Sequence, residues 1–502
     1  MPTASLAKLK NTPIGMINWR IIWKIIGQLL FIEAALMAGC ILMSLLYEED
    51  DTQAFCIAVA ATVVGACMMQ YIGRTAGNIM ARRESFLVVT LSWSIFSVFG
   101  AIPFLASGYL PNPTDAYFET ISGFTTTGAS LIDDVERLPH ALLFWRSLTQ
   151  WIGGLGIVFF TIATLPSLVG GSVKVFSAEA TGPMRVKMHP RLSTMGRWIW
   201  GIYSTLTLIC AICFFFEGMS AFDCVNYAMT VTATGGFATH NASTGFFHNP
   251  AIDYTAILFM FLCGTSFTLL YTTLFKRRLR EFLHNSEFRL YLTMVVVATA
   301  AIMGILIIDS DYDFWTALRN SLFQVVSFLT TTGVFNDDAG QWPHITWVIL
   351  SICMFVGGCA GSTSGGLKCI RGVMLIEMVR NEFKHLVHPN AVLPVRINGA
   401  SVNYQNQLSL FAFLVMYFAL CIFTYFIMIV AGVDSTNAIT ISLSCASNVG
   451  PTLGLEIGPT MSWSILPDVV KWLLSLLMLM GRLEILTVVV LFTPAFWKVG
   501  RK

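Results

Sequence analysis

The chain has 502 residues, 55% of them hydrophobic and only 12% charged, with a mean hydropathy of +0.70 and a formal charge of +2. Soluble globular chains carry about 25% charged residues, so the composition excludes a water-soluble domain and indicates an integral membrane protein, with no nucleic-acid partner expected. The apolar runs are too long for barrel strands of about 10 residues and imply spanning helices.

The N-terminal stretch MPTASLAKLKNTPIGMINWRIIWKIIG is basic and then apolar, with no small-residue cleavage site after a short core, and reads as a retained first helix. Helices over about 20–47 and 54–76 form a transmembrane hairpin within residues 1–80. Glu33 inside the first of them is expected to make a structural polar contact.

The next segment, FETISGFTTTGAS (Phe118 to Ser130), is made of hydroxyls and glycine and would be a poor lipid-facing surface. Three further copies follow: FDCVNYAMTVTATGGFATHN, LFQVVSFLTTTGVFND and ITISLSCASNVGPTLG, aligned on Gly128, Gly235, Gly333 and Gly450. Each is preceded by about 12 amphipathic residues, too few to span, and lies between two long apolar segments. The paired segments fall at about 85–168, 196–277, 288–378 and 405–497. The expected fold is an all-α polytopic membrane protein of about ten spans, with four parallel helix–pore loop–helix repeats around one pseudo-fourfold pore. The repeats occupy 81–190, 191–281, 282–396 and 397–502.

Charge placement supports the parallel arrangement. Arg74, Arg82 and Arg83, then Lys174 to Arg197, then Lys276 to Arg280, Arg371 to Arg396, and Lys498 to Lys502 fall on one side. Glu48 to Asp51, Asp133, Asp134, Asp309 to Asp313, Asp337 and Asp338 fall on the other. The positive-inside rule puts both termini in the cytoplasm. The acidic outer face would concentrate cations at the mouth.

Non-helical backbone at membrane depth must be buried in protein or line a watery cavity, so four such segments should converge on one axis. A cation crossing there needs oxygen donors in place of water. Backbone carbonyls supply them where a following Gly permits positive φ, and the C-terminal ends of the half-helices add negative potential. No Arg or Lys lies in any of the four turns, which argues against an anion site. A single TTTG is equally compatible with small-residue helix packing; four copies at matched places favour a pore.

Several other features bear on mechanism. The twelve Cys are scattered through apolar runs and read as packing residues. QWIGGLGIVFF, with Gly153, Gly154 and Gly156, follows no strand and is not a nucleotide loop. His240 has no companion at metal-ligand spacing and reads as an outer-mouth polar residue. In VGGCAGSTSGGLKCIRG, Gly357, Gly358, Gly361, Gly365 and Gly366 should break the second helix of repeat three into a loop across the inner pore, unless they serve a close helix crossing. Lys368 lies on its cytoplasmic flank, placed to snorkel. In LMLMGRLEILTVVV, Arg482 falls mid-span, as a barrier on the axis or a structural pair between helices. Glu484 is on another face of the same helix and is a weak candidate partner for it.

With its four T-x-T-G-like turns, glycine-rich break and last-helix arginine, the chain resembles the TrkH subunit family of bacterial potassium uptake systems, over essentially its whole length. The wider superfamily includes KtrB, plant and fungal HKT/Trk transporters and KdpA. The resemblance implies potassium bound by carbonyls of Thr126, Thr127 and Gly128; Ala233, Thr234 and Gly235; Thr331, Thr332 and Gly333; and Asn448, Val449 and Gly450. It implies gating by the loop of Gly357 to Lys368 with Arg482, and a bacterial cytoplasmic (inner) membrane location. It further implies a homodimer and a cytosolic TrkA-like ring that binds NAD or ATP. Lys276 to Arg280 and Arg371 to Arg396 are candidate docking surfaces for that ring or for anionic membrane lipid. An ion-coupled symporter or a KdpA-like pump subunit are the alternatives. No enzyme is expected, because no convergent catalytic set is present.

Overall fold

The computed structural model describes residues 17–77, 80–156, 192–310, 312–454, 457–458 and 460–498. Helices α1 (Trp19–Leu46) and α2 (Thr52–Gly73) form the N-terminal hairpin. Its acidic turn docks on repeat one, where the Glu49 carboxylate accepts from the backbone N–H of His140 at 3.0 Å and Tyr47 stacks on the imidazole at 3.9 Å.

The four repeats follow one plan. The first helix of each is long and apolar enough to cross a membrane: α3 (Arg82–Gly100) with its continuation α4 (Ile102–Ser107), α7 (Leu192–Phe216), α12 (Ser286–Asp309) and α16 (Tyr404–Val430). Then comes a half-helix: α5 (Pro113–Phe124), α8 (Ala221–Ala233), α13 (Phe314–Leu329) or α17 (Ser435–Ser447). Each half-helix starts on a side-chain cap, with Asn112, Ser220, Asp313 and Asp434 accepting from Thr114, Asp223, Trp315 and Thr436 N–H.

The second helix of repeat three is broken at its glycines as expected, while those of the other repeats, expected as full-length spans, also stop or turn. In repeat one α6 (His140–Leu155) stops at Gly156, and residues 157–168, expected to complete the span, lie outside the described residues. In repeat two α9 (Pro250–Cys263) turns through 96° into α10 (Phe267–Lys276), which is followed by the short α11 (Leu279–His284). In repeat three α14 (His344–Val356) gives way to a loop before α15 (Cys369–Val387). In repeat four α18 (Asp468–Arg482) turns through 115° into α19 (Ile485–Val489) and its short extension, before α20 (Pro494–Trp497). Among the described residues, six helices span alone, or eight with each bent pair counted as one. The all-helical expectation misses one small hairpin, β1 (Arg396–Ile397) with β2 (Ala400–Ser401), closed by Asn398 and Gly399 at positive φ.

The half-helices are the polar core. Glu119 of α5 is fully buried and meets Arg146 of α6 at 2.9 Å, with side-chain exposures of 0% and 2%. The same carboxylate accepts from the Leu131 N–H at 2.9 Å, and Arg146 donates to the Ala238 carbonyl at 3.2 Å, so one ion pair fastens the segments that follow the turns of two repeats. Glu33 is also buried, next to Gly100, but neither carboxylate oxygen has a hydrogen-bond partner among the described residues, so the polar contact expected of it is not made. Glu119→Ala would strand the Arg146 charge in the interior. It should lower stability by about 3–5 kcal/mol, read as an earlier thermal unfolding of the detergent-solubilised protein.

Candidate functional site

Each half-helix runs into a turn of the same shape. Thr126, Thr234, Thr331 and Asn448 have φ between +52° and +57°, and two residues on, Gly128, Gly236, Gly333 and Gly450 have φ between +79° and +95°. Between them, the N–H of Thr127, Gly235, Thr332 and Val449 bonds the carbonyl five residues back, on Ser122, Thr230, Ser327 and Ser444, at 2.8–3.0 Å. This fixes the register. In repeat two the equivalent triplet is Thr234, Gly235 and Gly236, not Ala233, Thr234 and Gly235: Ala233 is the last residue of α8, and it is Gly236 that carries the left-handed backbone. The Gly-Gly pair made the glycine ambiguous, and a one-residue choice by similarity to T-x-T-G selected the wrong one.

The turns close a ring. A Cβ on Gly128 would collide with the carbonyl oxygen of Gly235, one on Gly236 with that of Thr332, one on Gly333 with that of Val449, and one on Gly450 with that of Thr127. The order runs through repeats one, two, three and four and back to one, which is pseudo-fourfold. Side chains alone could not pack this tightly; glycine permits both the positive φ and the carbonyl contact.

The hydroxyls sit behind the ring rather than facing out to solvent, since Thr125 to Thr127 and Thr330 to Thr332 are at most 2% exposed. Thr125 and Thr127 share a hydrogen bond at 2.8 Å, as do Thr330 and Thr332 at 2.7 Å. The fourth turn replaces this pair: Asn448 tolerates the left-handed region, and its amide donates to Thr127 Oγ1 at 2.9 Å and to the Met478 carbonyl at 2.8 Å. Gln150 of α6 braces the second turn, donating to the Gly235 carbonyl at 2.6 Å and accepting from the Phe237 N–H at 3.0 Å. Composition gave Gln150 no prominence; a lone amide facing polar turns in an apolar helix was the available signal.

Beneath the ring lies the segment from Gly357 to Lys368. Gly357, Gly361, Gly366 and Lys368 all have positive φ, so it is a loop and not a close helix crossing. Thr363 Oγ1 donates to the Thr232 and Cys263 carbonyls at 3.2 and 3.3 Å. The Gly365 N–H bonds Thr331 Oγ1 at 2.6 Å, and the Gly366 N–H bonds the Ser447 carbonyl at 3.0 Å. The loop thereby engages the inner ends of three half-helices, with Gly358 buried at its start.

Arg482, at the end of α18, completes this layer. It donates to the Thr363 carbonyl at 2.7 Å and to the Gly153 and Gly154 carbonyls at 2.6 Å each, which the break after α6 leaves available. Glu484 pairs with Arg371 of α15, whose guanidinium also lies over Phe413 at 4.1 Å. Arg371 is therefore buried, unlike the exposed Arg380, Lys384 and Arg396, and does not belong to a docking surface. Lys368 is also buried, donating to the Ser364 carbonyl, and does not snorkel.

At the acidic mouth His240 stacks on Phe246 at 3.7 Å, with ring nitrogens 3.4 Å from Glu136 and 3.6 Å from Asp223, ion-pair rather than hydrogen-bond distances. Burial disfavours the imidazolium, but the two carboxylates outweigh it and hold its pKa above the ordinary value. Among the described residues no His, Cys, Asp and Glu cluster has the shape of a metal site.

A helical multi-pass membrane protein whose half-helices meet in a ring of backbone turns belongs to the class of cation transport proteins. A family model described as TrkH, cation transport protein, matches residues 52–499. The chain is 37% identical to the Trk system potassium uptake protein TrkH of Halomonas elongata over 488 residues, 95% of this chain and 99% of that protein. It is 32% identical to TrkG of Escherichia coli over 95% of this chain and 99% of that one. The crystal structure of the potassium transporter TrkH from Vibrio parahaemolyticus superposes with a TM-score of 0.86 at 32% identity, covering 96% of this chain and 100% of that one. The chain belongs to the TrkH family.

The raised pKa of His240 sets a pH dependence. Its pairing contributes stability in full below the unfolded value of about 6.5 and loses it as pH rises through the higher folded value. His240→Gln should flatten the thermal stability profile across that window, measured from pH 5.5 to 8.5; an unchanged slope would count against the pairing.

Proposed function

We propose that the chain carries potassium ions inward across the bacterial cytoplasmic membrane through the ring of four turns. The observation that carries this reading is the cyclic contact of each turn's glycine with the next turn's carbonyl, which brings backbone oxygens of all four repeats around one axis. The potassium uptake names of the relatives support potassium as the cargo.

In this reading the carbonyls of Thr126, Thr127 and Gly128; Thr234, Gly235 and Gly236; Thr331, Thr332 and Gly333; and Asn448, Val449 and Gly450 replace the ion's water. The C-terminal ends of α5, α8, α13 and α17 point at the ring and add negative potential. Arg482 places a cation below it, and with the loop of Gly357 to Lys368 it forms the inner barrier. Gly357, Gly358, Gly361, Gly365 and Gly366 let that loop fold without side chains between the half-helix ends. The repeats divide near residues 80, 190, 281 and 396, with both termini in the cytoplasm. The working unit is a homodimer under a cytosolic nucleotide-binding ring of the TrkA kind, with the exposed Lys276 to Arg280 segment as its docking surface.

Proteoliposome uptake of potassium, rubidium and sodium, with and without an imposed proton gradient, tests the reading. Equal sodium and potassium rates would sink selectivity, and a strict gradient requirement would replace conduction with symport. Gly236→Ala should reduce the preference for potassium several-fold, because the methyl meets the Thr332 carbonyl. Gly235→Ala, which meets only the Gln150 side chain, should reduce it less. Arg482→Ala should raise cation flux several-fold; unchanged flux in a folded variant speaks against the barrier.

A further inference from the structure

The inner loop is held from a direction that the ring and Arg482 do not explain. Glu287 stands in the first turn of α12, in a different helix from the loop, and is 8% exposed. One of its oxygens, Oε1, accepts the Ala360 N–H at 2.6 Å and the Ile370 N–H at 3.1 Å. These two amides flank the loop: Ala360 lies on its entering limb and Ile370 just past its exit. The limbs are themselves joined by the Cys369 N–H to the Gly358 carbonyl at 2.9 Å.

The carboxylate is well placed to hold. Asn285 caps α12, accepting from the N–H of Glu287 and of Phe288 at 2.9 and 3.2 Å, so the first turn is fixed. The positive end of the α12 dipole favours a carboxylate there, and charge-assisted bonds to two amides are stronger than neutral ones. The loop cannot leave the inner ends of the half-helices with both limbs bound to a residue of α12. Releasing it strands two N–H groups and a carboxylate in a buried site.

We infer that Glu287 is the latch of the inner loop, a positioning residue that keeps the conduction path shut by clamping both limbs to α12. This rests on the transport reading above, but its structural part can be tested apart from transport. The loop carries its own reporter, because Cys359 is 1% exposed; Cys210 in α7, at 0%, reports general loosening.

The full-length chain is reconstituted as the parent, Glu287→Ala, Glu287→Gln and Arg482→Ala. N-ethylmaleimide adducts are mapped by mass spectrometry, and rubidium uptake is measured on the same vesicles. Glu287→Ala should label Cys359 several-fold faster than the parent, leave Cys210 unlabelled, and raise rubidium uptake several-fold. Glu287→Gln keeps an acceptor oxygen at the same place and should stay near the parent in both. Parental Cys359 labelling in Glu287→Ala overturns the latch, as does labelling of Cys210 in step with Cys359, or a Gln variant as open as the Ala variant. If Glu287→Ala does not fold, Glu287→Asp, whose carboxylate falls about one bond length short of both amides, takes its place with the same outcomes. Faster Cys359 labelling with no rubidium uptake in any variant, Arg482→Ala included, would leave the latch standing and defeat the transport reading.

Discussion

Everything in this protein follows from placing irregular backbone deep in an apolar assembly. Each N–H and C=O freed from helical pairing there must find another partner within the protein or line a watery path. The four turns meet this demand in one shared way. The amide between the two left-handed residues folds back on its own half-helix, and the glycine beyond presents no side chain where the next repeat's carbonyl stands. The Thr127, Thr332 and Val449 carbonyls pack against a neighbouring turn's glycine, and the Gly235 carbonyl does so while accepting from Gln150.

The same demand explains the lower half of the molecule. A second helix that ran unbroken would offer no free carbonyl beneath the ring. Because α6, α9, α14 and α18 all stop at about that depth in sequence, oxygens at Gly153, Gly154, Cys263 and Gly264 become acceptors for Arg482, Thr363 and Cys359. The loop of repeat three and the arginine of repeat four are therefore one structure, tied through Thr363. In this layer charge is matched across repeats rather than along a helix, Arg371 of repeat three pairing with Glu484 of repeat four.

How far the sequence was legible depended on whether a feature is local. TTTG in repeats one and three, the glycine-rich break, and the mid-span Arg482 are recognisable because residue type and apolar surroundings conflict within a few positions. Where two local solutions existed, as in ATGG, the sequence could not choose; the choice fell to which glycine meets the Thr332 carbonyl of the neighbouring repeat. The breaks in α9–α10 (Gly264-Thr265-Ser266) and α18–α19 (Leu483-Glu484) were not read because each is only two or three residues inside a long apolar run, and their freed groups are met by contacts from another repeat, Cys359 N–H on the Gly264 carbonyl and Arg371 on Glu484. Glu287, Gln150 and the Glu119–Arg146 pair were passed over because their partners lie far along the chain.

By itself the sequence determined that the protein is membrane-embedded, that one short polar motif recurs four times, and which short segments are poor lipid-facing surfaces. These depend on composition, period and charge, each a property of consecutive residues. Only the tertiary structure decided the register of the second turn, the partners of Arg146, Arg371 and Arg482, and the hydrogen bonds that the loop of repeat three makes. Those are settled by distances between segments, where a shift of one residue changes which carbonyl a glycine meets.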